Sequence, residues 1–461
     1  MNTQAVLTAM LPEHLLLLGI VVLVGIAIVG RWQRATLAVS LLAVAGAAVA
    51  AASLALGGYA AAPFAGQFAV DPATLMAKAV VLAMVLPVLL MSRGDFADGE
   101  FELLILSSLY GVCLMQSADS FLTLFLGLEI MSLPVYALVM LAYRRPQSAE
   151  AALKYLVLGG TATATFLMGV SLLYGSGGSM SIGTFSQTLA ATDTLGRAAV
   201  VLVLLAFFLK GAIVPFHTWA PDAYEGASVP VTAYMAVIVK AGVLLAVVRL
   251  FGQAKVATPM LELLVVLPLV SIVWGNLAAI RQPSLRRMIA YSSIAHAGYL
   301  FYAMLGDPAG RLQSVTFYLL AYGVLNLLVF AALPAAADDR ERDRLENLKG
   351  LFHRAPFAAV MIGLAMLSLA GIPPLPGFVA KFLIFKNVMA AGYTTYAVLG
   401  LVGSYLGIYF YLRVIQFMFM SPDARGTPLG ATRSFAIGAS LACLAAALVV
   451  SVFPGWVLSR F

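Results

Sequence analysis

Fourteen apolar stretches of membrane-crossing length, near 13–30, 36–57, 73–92, 102–117, 119–141, 149–174, 197–219, 228–250, 258–280, 286–305, 313–335, 355–391, 396–420 and 434–453, leave this chain one environment in which to fold. A helix needs about 20 largely apolar residues to cross a hydrocarbon core about 30 Å thick. Only 10% of the residues are charged, against about 25% in an ordinary soluble domain. That leaves too little polar side chain to cover a water-facing surface. A soluble enzyme, a nucleic-acid binder and a disordered scaffold are excluded on this ground. The apolar runs are too long and continuous for the alternating ten-residue pattern of a membrane barrel. No strand is therefore expected, and the fold class is an all-α polytopic membrane protein of about 14 helices. The first Lys or Arg is Arg31, behind the first apolar stretch. The basic segment of a signal peptide is missing, so this stretch is expected to remain as the first transmembrane helix. Cys113 and Cys443 lie singly in apolar runs and read as small core residues rather than as a disulfide or a metal site.

The basic residues orient the bundle. Of 27 Lys and Arg, five lysines and Arg413 are set aside as lying well inside the stretches; of the other 21, in loops or at stretch ends, the odd-numbered loops carry 15, and the even loops with the tail carry 6. Cytoplasmic loops are the Lys/Arg-rich ones. The odd loops, among them 93–101 and 336–354 with its charged run Asp338–Arg344, are therefore expected in the cytoplasm. Both termini and the Gly/Ser/Thr-rich 175–196 loop fall on the external side. The net charge of +7 expresses this bias, and no nucleic-acid partner is expected.

Charges at mid-bilayer cost roughly 2.5–3.5 kcal/mol each on insertion scales and mark function by default. Glu129, Lys210, Lys240 and His296 each sit near the middle of a stretch, and Lys381 joins them. Five such residues on five helices point to one shared polar axis. Lys78, one and a half turns into its stretch, is expected to snorkel to the interface, and so is Arg413. Glu102 and Glu262 lie near stretch ends and read as solvated. Lys154 follows Glu150 by four residues, the spacing of a helical ion pair; a local pair and a proton-entry role both remain open for it. His217 is a further candidate beside the axis.

Two stretches are interrupted beside their lysines. Gly211 and Pro215 follow Lys210, and a proline lacks the N–H and clashes with the carbonyl four residues back. Segment 355–391 contains Gly371-Ile-Pro-Pro-Leu-Pro-Gly377, four residues before Lys381, and should be a loop at membrane depth. Non-helical backbone at that depth is tolerated only where protein or water satisfies it. Glu129 and Lys210 lie 81 residues apart, and His296 and Lys381 lie 85 apart. This suggests two five-helix units of opposite orientation, as in transporters: a first repeat over 101–251 and a second over 258–420. An N-terminal three-helix segment (1–100) would precede them and a C-terminal helix (434–461) follow, all in one membrane domain. No P-loop is present and the histidines are single, so the chain brings no fuel site, metal or cofactor of its own.

Three segments carry a resemblance. Lys210-Gly-Ala-Ile-Val-Pro-Phe-His-Thr-Trp-Ala-Pro-Asp-Ala-Tyr-Glu-Gly226, Arg287-Met-Ile-Ala-Tyr-Ser-Ser-Ile-Ala-His-Ala-Gly-Tyr299 and Leu369-Ala-Gly-Ile-Pro-Pro374 resemble the antiporter-like subunits of respiratory complex I. Within these, Tyr224-Glu225-Gly226 favours the subunit N branch of bacterial NADH:quinone oxidoreductase. The pattern departs from the family's at Ser228-Val229 and Leu375-Pro376, which spares the titratable positions. The resemblance implies inverted five-helix repeats with broken helices 7 and 12, and a proton path through Glu129, Lys210, Lys240 and Lys381. It also implies a hetero-oligomer with other antiporter-like and small membrane subunits, in contact with lipids in a bacterial inner membrane. FMN and iron–sulfur clusters would reside in partner subunits. Two other readings stand beside it: a subunit of a multisubunit cation/proton antiporter, which shares the fold, and a passive scaffold whose charges only hold helices together.

Overall fold

The computed structural model describes residues 3–30, 35–93, 95–96, 99–142, 146–190, 193–256, 258–335, 341–421, 430 and 432–461. Arg31, and Asp338, Asp339 and Arg340 of the charged run, lie outside the described residues.

The long helices, in chain order, are α1 (Leu11–Val29), α2 (Thr36–Leu56), α3 (Pro72–Met91), α4 (Glu100–Gln116), α5 (Phe121–Met140), α6 (Pro146–Gly177), α7 (Thr194–Gly211), α8 (Val229–Phe251), α9 (Thr258–Ala279), α10 (Leu285–Tyr302), α11 (Pro308–Ala332), α12 (Pro356–Ala370), α13 (Pro376–Ala390), α14 (Thr394–Phe419) and α15 (Ser434–Val452). Among the described residues, 11 of these are long and apolar enough to cross a membrane. The other four fall short on length or apolarity: α4 has 17 residues, α10 carries Arg286 and Arg287, and α12 and α13 have 15 residues each. The chain is an all-α polytopic membrane protein.

Burial follows the charges. Every residue of α8 except Arg249 is buried, and α11 beside it is buried along most of its length. Leu17, Leu18 and Val21 of α1, Leu42 and Val49 of α2, and Leu153 and Val157 of α6 are exposed, as lipid-facing side chains should be. Small residues let the inner helices approach closely. A Cβ at Gly111 of α4 would lie 2.3 Å from the Met131 amide nitrogen of α5. Ser108 Oγ donates to the Met131 carbonyl at 2.9 Å, which fixes the depth of the turn carrying Glu129.

Several expectations are corrected. A two-stranded antiparallel hairpin, β1 (Ala61–Phe64) and β2 (Phe68–Val70), joins α2 to α3. Its tight turn uses Gly66 at φ 70°, and strands of four and three residues are too short to leave a sequence signature. Helix α6 has 32 residues, about 48 Å at 1.5 Å per residue, and runs past both ends of its apolar stretch. Glu102 is buried rather than solvated, because α4 packs against α1 and α5 along its length. Glu262 is exposed, as expected. The Arg413 guanidinium is captured within the protein by the Ile280 carbonyl and lies 5.5 Å from the Phe417 ring.

Lys78 does not snorkel. Its ammonium bonds the Glu13 carboxylate of α1, with both side chains fully buried, and lies 4.9 Å from the Phe68 ring of the hairpin. Removing one member of such a pair leaves an unpaired buried charge, costing about 3–5 kcal/mol, whereas replacing both with apolar groups is often neutral. Lys78→Met alone should therefore lower the thermal stability of the purified chain sharply. The double variant Glu13→Leu/Lys78→Met should recover most of the loss, and equal Tm values for single and double variants would show that the pair is not coupled.

Candidate functional site

The polar axis begins where α7 stops. Gly211 ends the helix, Ala212 takes a left-handed conformation at φ 60°, and residues 212–218 are not helical before a short helix, Trp219–Gly226. The break frees backbone groups that side chains then satisfy: Trp219 Nε1 donates to the Leu209 carbonyl at 2.9 Å, and the Val214 amide donates to Ser271 Oγ at 2.8 Å. Lys210, one residue before the end, donates to Ser132 Oγ at 3.0 Å and Tyr136 Oη at 3.4 Å. Glu129 Oε1 stands 4.0 Å from the ammonium and accepts from Thr163 Oγ1 at 2.6 Å. The Glu129 side chain keeps 25% of its surface exposed while that of Lys210 keeps 6%. Glycine is required at 159, where a Cβ would sit 1.9 Å from Tyr136 Oη.

Lys240 opens the regular part of α8 directly after a π-helical turn, Met235–Val239. Such turns insert a residue and recur at functional sites; nothing in the sequence announced this one. The Lys240 ammonium donates to the Ser293 carbonyl at 2.5 Å and to Ser293 Oγ, which in turn lies 3.4 Å from Tyr224 Oη. One turn along α10, His296 is held on both ring nitrogens by hydroxyls. Tyr318 Oη is 2.6 Å from Nδ1, Tyr411 Oη is 3.1 Å from Nε2, and Tyr411 Oη is 2.5 Å from Ser292 Oγ. The two tyrosines lie on other helices, α11 and α14, and carry no motif that marks them in the sequence.

The second break has the same logic with a different partner set. Helix α12 ends at Ala370, Gly371 adopts φ 88°, and α13 starts at Pro376. Lys381 reaches back to the Leu369 and Ala370 carbonyls at 3.2 and 3.4 Å, two of the terminal acceptors that a helix end leaves unpaired. Its ammonium also lies 5.5 Å from the Tyr299 ring. Glu129, Lys210, Lys240, His296 and Lys381 are thus each engaged by polar partners inside the bundle.

Lys154 and His217 sit apart from this core. Lys154 bonds Glu150 and Asp222, each at 2.8 Å, so the expected local pair is joined by a second carboxylate. Arg287 bonds Asp222 and Glu225, each at 2.9 Å. These side chains line a cavity of about 340 Å³, next to a buried bidentate pair that the sequence did not reveal: Arg286 Nε with Asp343 at 3.1 Å. His217 accepts from Trp274 Nε1 at 3.1 Å at the protein's exposed flank. Among the described residues no group of three or more His, Cys, Asp or Glu is placed to hold a metal ion.

Residues 118–407 match the family profile described as NADH:quinone oxidoreductase/Mrp antiporter, transmembrane region. NADH-quinone oxidoreductase subunit N of Pelobacter propionicus is 40% identical over 418 residues, 90% of this chain and 89% of that protein. Its counterpart in Desulfovibrio desulfuricans is 37% identical over 423 residues, 86% of this chain and 84% of that one. A chain of respiratory complex I from Thermus thermophilus superposes with a TM-score of 0.84 at 35% identity, covering 97% of this chain and 98% of its own. A chain of the Mrp complex from Dietzia sp. shares the fold at a TM-score of 0.82 and 22% identity, covering 98% of this chain and 96% of its own.

Asp222 supplies a pH signature. Burial alone would raise its pKa, but the bonds from Lys154 and Arg287 prevail and hold it below the usual carboxylate range. A carboxylate whose folded pKa is depressed adds stability that is complete above the ordinary value, about 4, and disappears as pH falls through the folded one. The thermal stability of the wild-type chain should therefore fall below pH 4. Asp222→Asn should flatten that limb, and an unchanged acid limb would remove the cluster from the stability balance.

Proposed function

This chain belongs to the NADH:quinone oxidoreductase/Mrp antiporter family, and from that premise we propose that it moves protons along the Glu129–Lys210–Lys240–His296–Lys381 axis. The observation that carries the reading is Lys210: an almost fully buried ammonium at a helix break, facing one carboxylate at 4.0 Å and two neutral hydroxyls. Burial disfavours a charged lysine and a nearby carboxylate favours it. Closing the Glu129–Lys210 gap therefore holds a proton on Lys210, and opening it releases one toward Lys240.

From Lys240 the route continues through neutral groups. Ser293 touches the ammonium, and its neighbour Ser292 bonds Tyr411, which bonds His296. A neutral imidazole donates from one nitrogen and accepts at the other. With a hydroxyl on each side, His296 passes a proton by exchanging which nitrogen carries it, and Tyr318 and Tyr411 must rotate together with that exchange. Lys381, held by main-chain carbonyls, receives the charge at the second break.

The chain is read as the antiporter-like membrane subunit of a bacterial NADH:quinone oxidoreductase. It spans the inner membrane with both termini periplasmic and is built from inverted repeats over 101–251 and 258–420 within fourteen passes. Flavin and iron–sulfur redox chemistry in partner subunits drives the pair open and shut. The shared fold of the Mrp chain keeps a cation antiporter as the second reading. Its chemistry is disfavoured here, because a sodium ion wants several oxygen ligands and the axis offers one carboxylate against three lysines.

Replacing Lys210 or Lys240 with Met should leave the complex assembled, since an apolar side chain relieves burial, yet abolish most proton pumping in inverted vesicles. Unchanged pumping in both variants would leave only a scaffold. Unit charges 4 Å apart interact by about 4 kcal/mol at an effective dielectric near 20, so Glu129→Gln should cost pumping tenfold or more while Glu129→Asp keeps part of it. Equal losses in both would assign Glu129 to packing.

A further inference from the structure

At the end of the bundle opposite the Lys154 cluster, a cavity of about 180 Å³ opens between α3, α4, α8 and α11. Asp71, Thr74, Gln116, Arg249, Arg311 and Leu312 line it, with Asp71 half exposed and Arg311 buried. Gln116 is 3% exposed, and among the described residues neither its Oε1 nor its Nε2 has a hydrogen-bond partner. Buried carboxamides are almost never left so. Thr316, four residues after Leu312 and thus one turn deeper on the same face of α11, is 2% exposed, and its hydroxyl is likewise unpartnered. A roomy cavity with unsatisfied polar groups continuing inward is where ordered water resides.

The lining is built rather than loose. Arg249 donates to the Ala118 carbonyl at 2.5 Å and to Thr74 Oγ1 at 3.3 Å, with Asp71 and Asp119 each 4.0 Å away. Arg311 donates to the Gly252 and Ala254 carbonyls, both at 3.0 Å. Leu245, the innermost cavity residue on α8, follows Lys240 by five residues, about 7.5 Å of helix rise.

We propose that this cavity is an external water vestibule, in which Gln116 and Thr316 anchor a hydrogen-bonded file of waters that carries protons between the Lys240 region and the outer surface. The inference rests on the proton-moving reading and on the orientation proposed above. It adds a ligand, water, and a route at the junction of the N-terminal helices with α8 and α11, away from both helix breaks.

The test uses the whole complex in membranes, with Gln116→Cys or Thr316→Cys introduced and the two buried native cysteines, Cys113 and Cys443, replaced by alanine. The probe is the anionic, membrane-impermeant sulfonatoethyl methanethiosulfonate, which the arginines admit. Residue 116 should be modified from the periplasmic face only, and modification should cut pumping by more than half. Gln116→Leu should lower pumping severalfold in the assembled complex, and Gln116→Asn should retain most of it. No labelling from outside, labelling only from the cytoplasmic face, or labelling that leaves pumping unchanged would each overturn the vestibule. Failure of the underlying proton reading is separable: it would show as normal pumping in Lys210→Met, whatever the labelling result.

Discussion

A lysine ammonium inside a bilayer persists only where the fold brings oxygen to it, and in this protein one of the two helix breaks supplies that oxygen directly. A continuous helix spends its carbonyls on its own ladder. Ending α12 at Ala370 leaves the last carbonyls unspent, and Lys381, arriving from α13, bonds two of them. At the first break the freed groups are taken by Trp219 and Ser271. That leaves Lys210 to Ser132, Tyr136 and the more distant Glu129. The glycine and prolines that separate α12 from α13 are therefore part of the charge chemistry at Lys381.

The three lysines are not equivalent, and their partners explain why. Lys210 faces a carboxylate, whereas Lys240 and Lys381 are bonded by hydroxyl or carbonyl oxygens. A neutral oxygen stabilises an ammonium by less than a countercharge does at the same distance. On the proposed proton axis, the countercharge would favour a proton at the Lys210 end over the neutral-oxygen sites.

The sequence made the charges and the breaks legible, because both violate strong rules: ionisable residues do not belong at mid-bilayer, and Pro-Pro does not belong inside a helix. It did not disclose partners that depend on helix rotation. The π turn before Lys240, the Tyr318–His296–Tyr411 bridge and the Arg286–Asp343 pair each join residues whose spacing carries no pattern. Lys78 departs from its expected place for a related reason. Its distance from the helix end suited snorkelling, but Glu13 on a neighbouring helix, 65 positions away, offered a closer partner than water. The β1–β2 hairpin is a matter of length: seven strand residues around Gly66 leave no periodicity to read.

Comparing the two Glu–Lys pairs separates structure from function. Glu13 and Lys78 are in direct contact and fully buried, packed beneath Phe68 of the hairpin. Breaking that contact would strand two charges in a dry interior, so the pair acts as a rivet between α1 and α3. Glu129 and Lys210 stand 4.0 Å apart, the acid a quarter exposed, and each already holds a neutral hydrogen-bond partner in Thr163 or Ser132. Separating them strands neither group, so the difference in energy between open and closed states is small enough for a coupled reaction to reverse. A carboxylate and a lysine in firm contact hold helices together; the same two groups held slightly apart, each with a second partner, can hand on a proton.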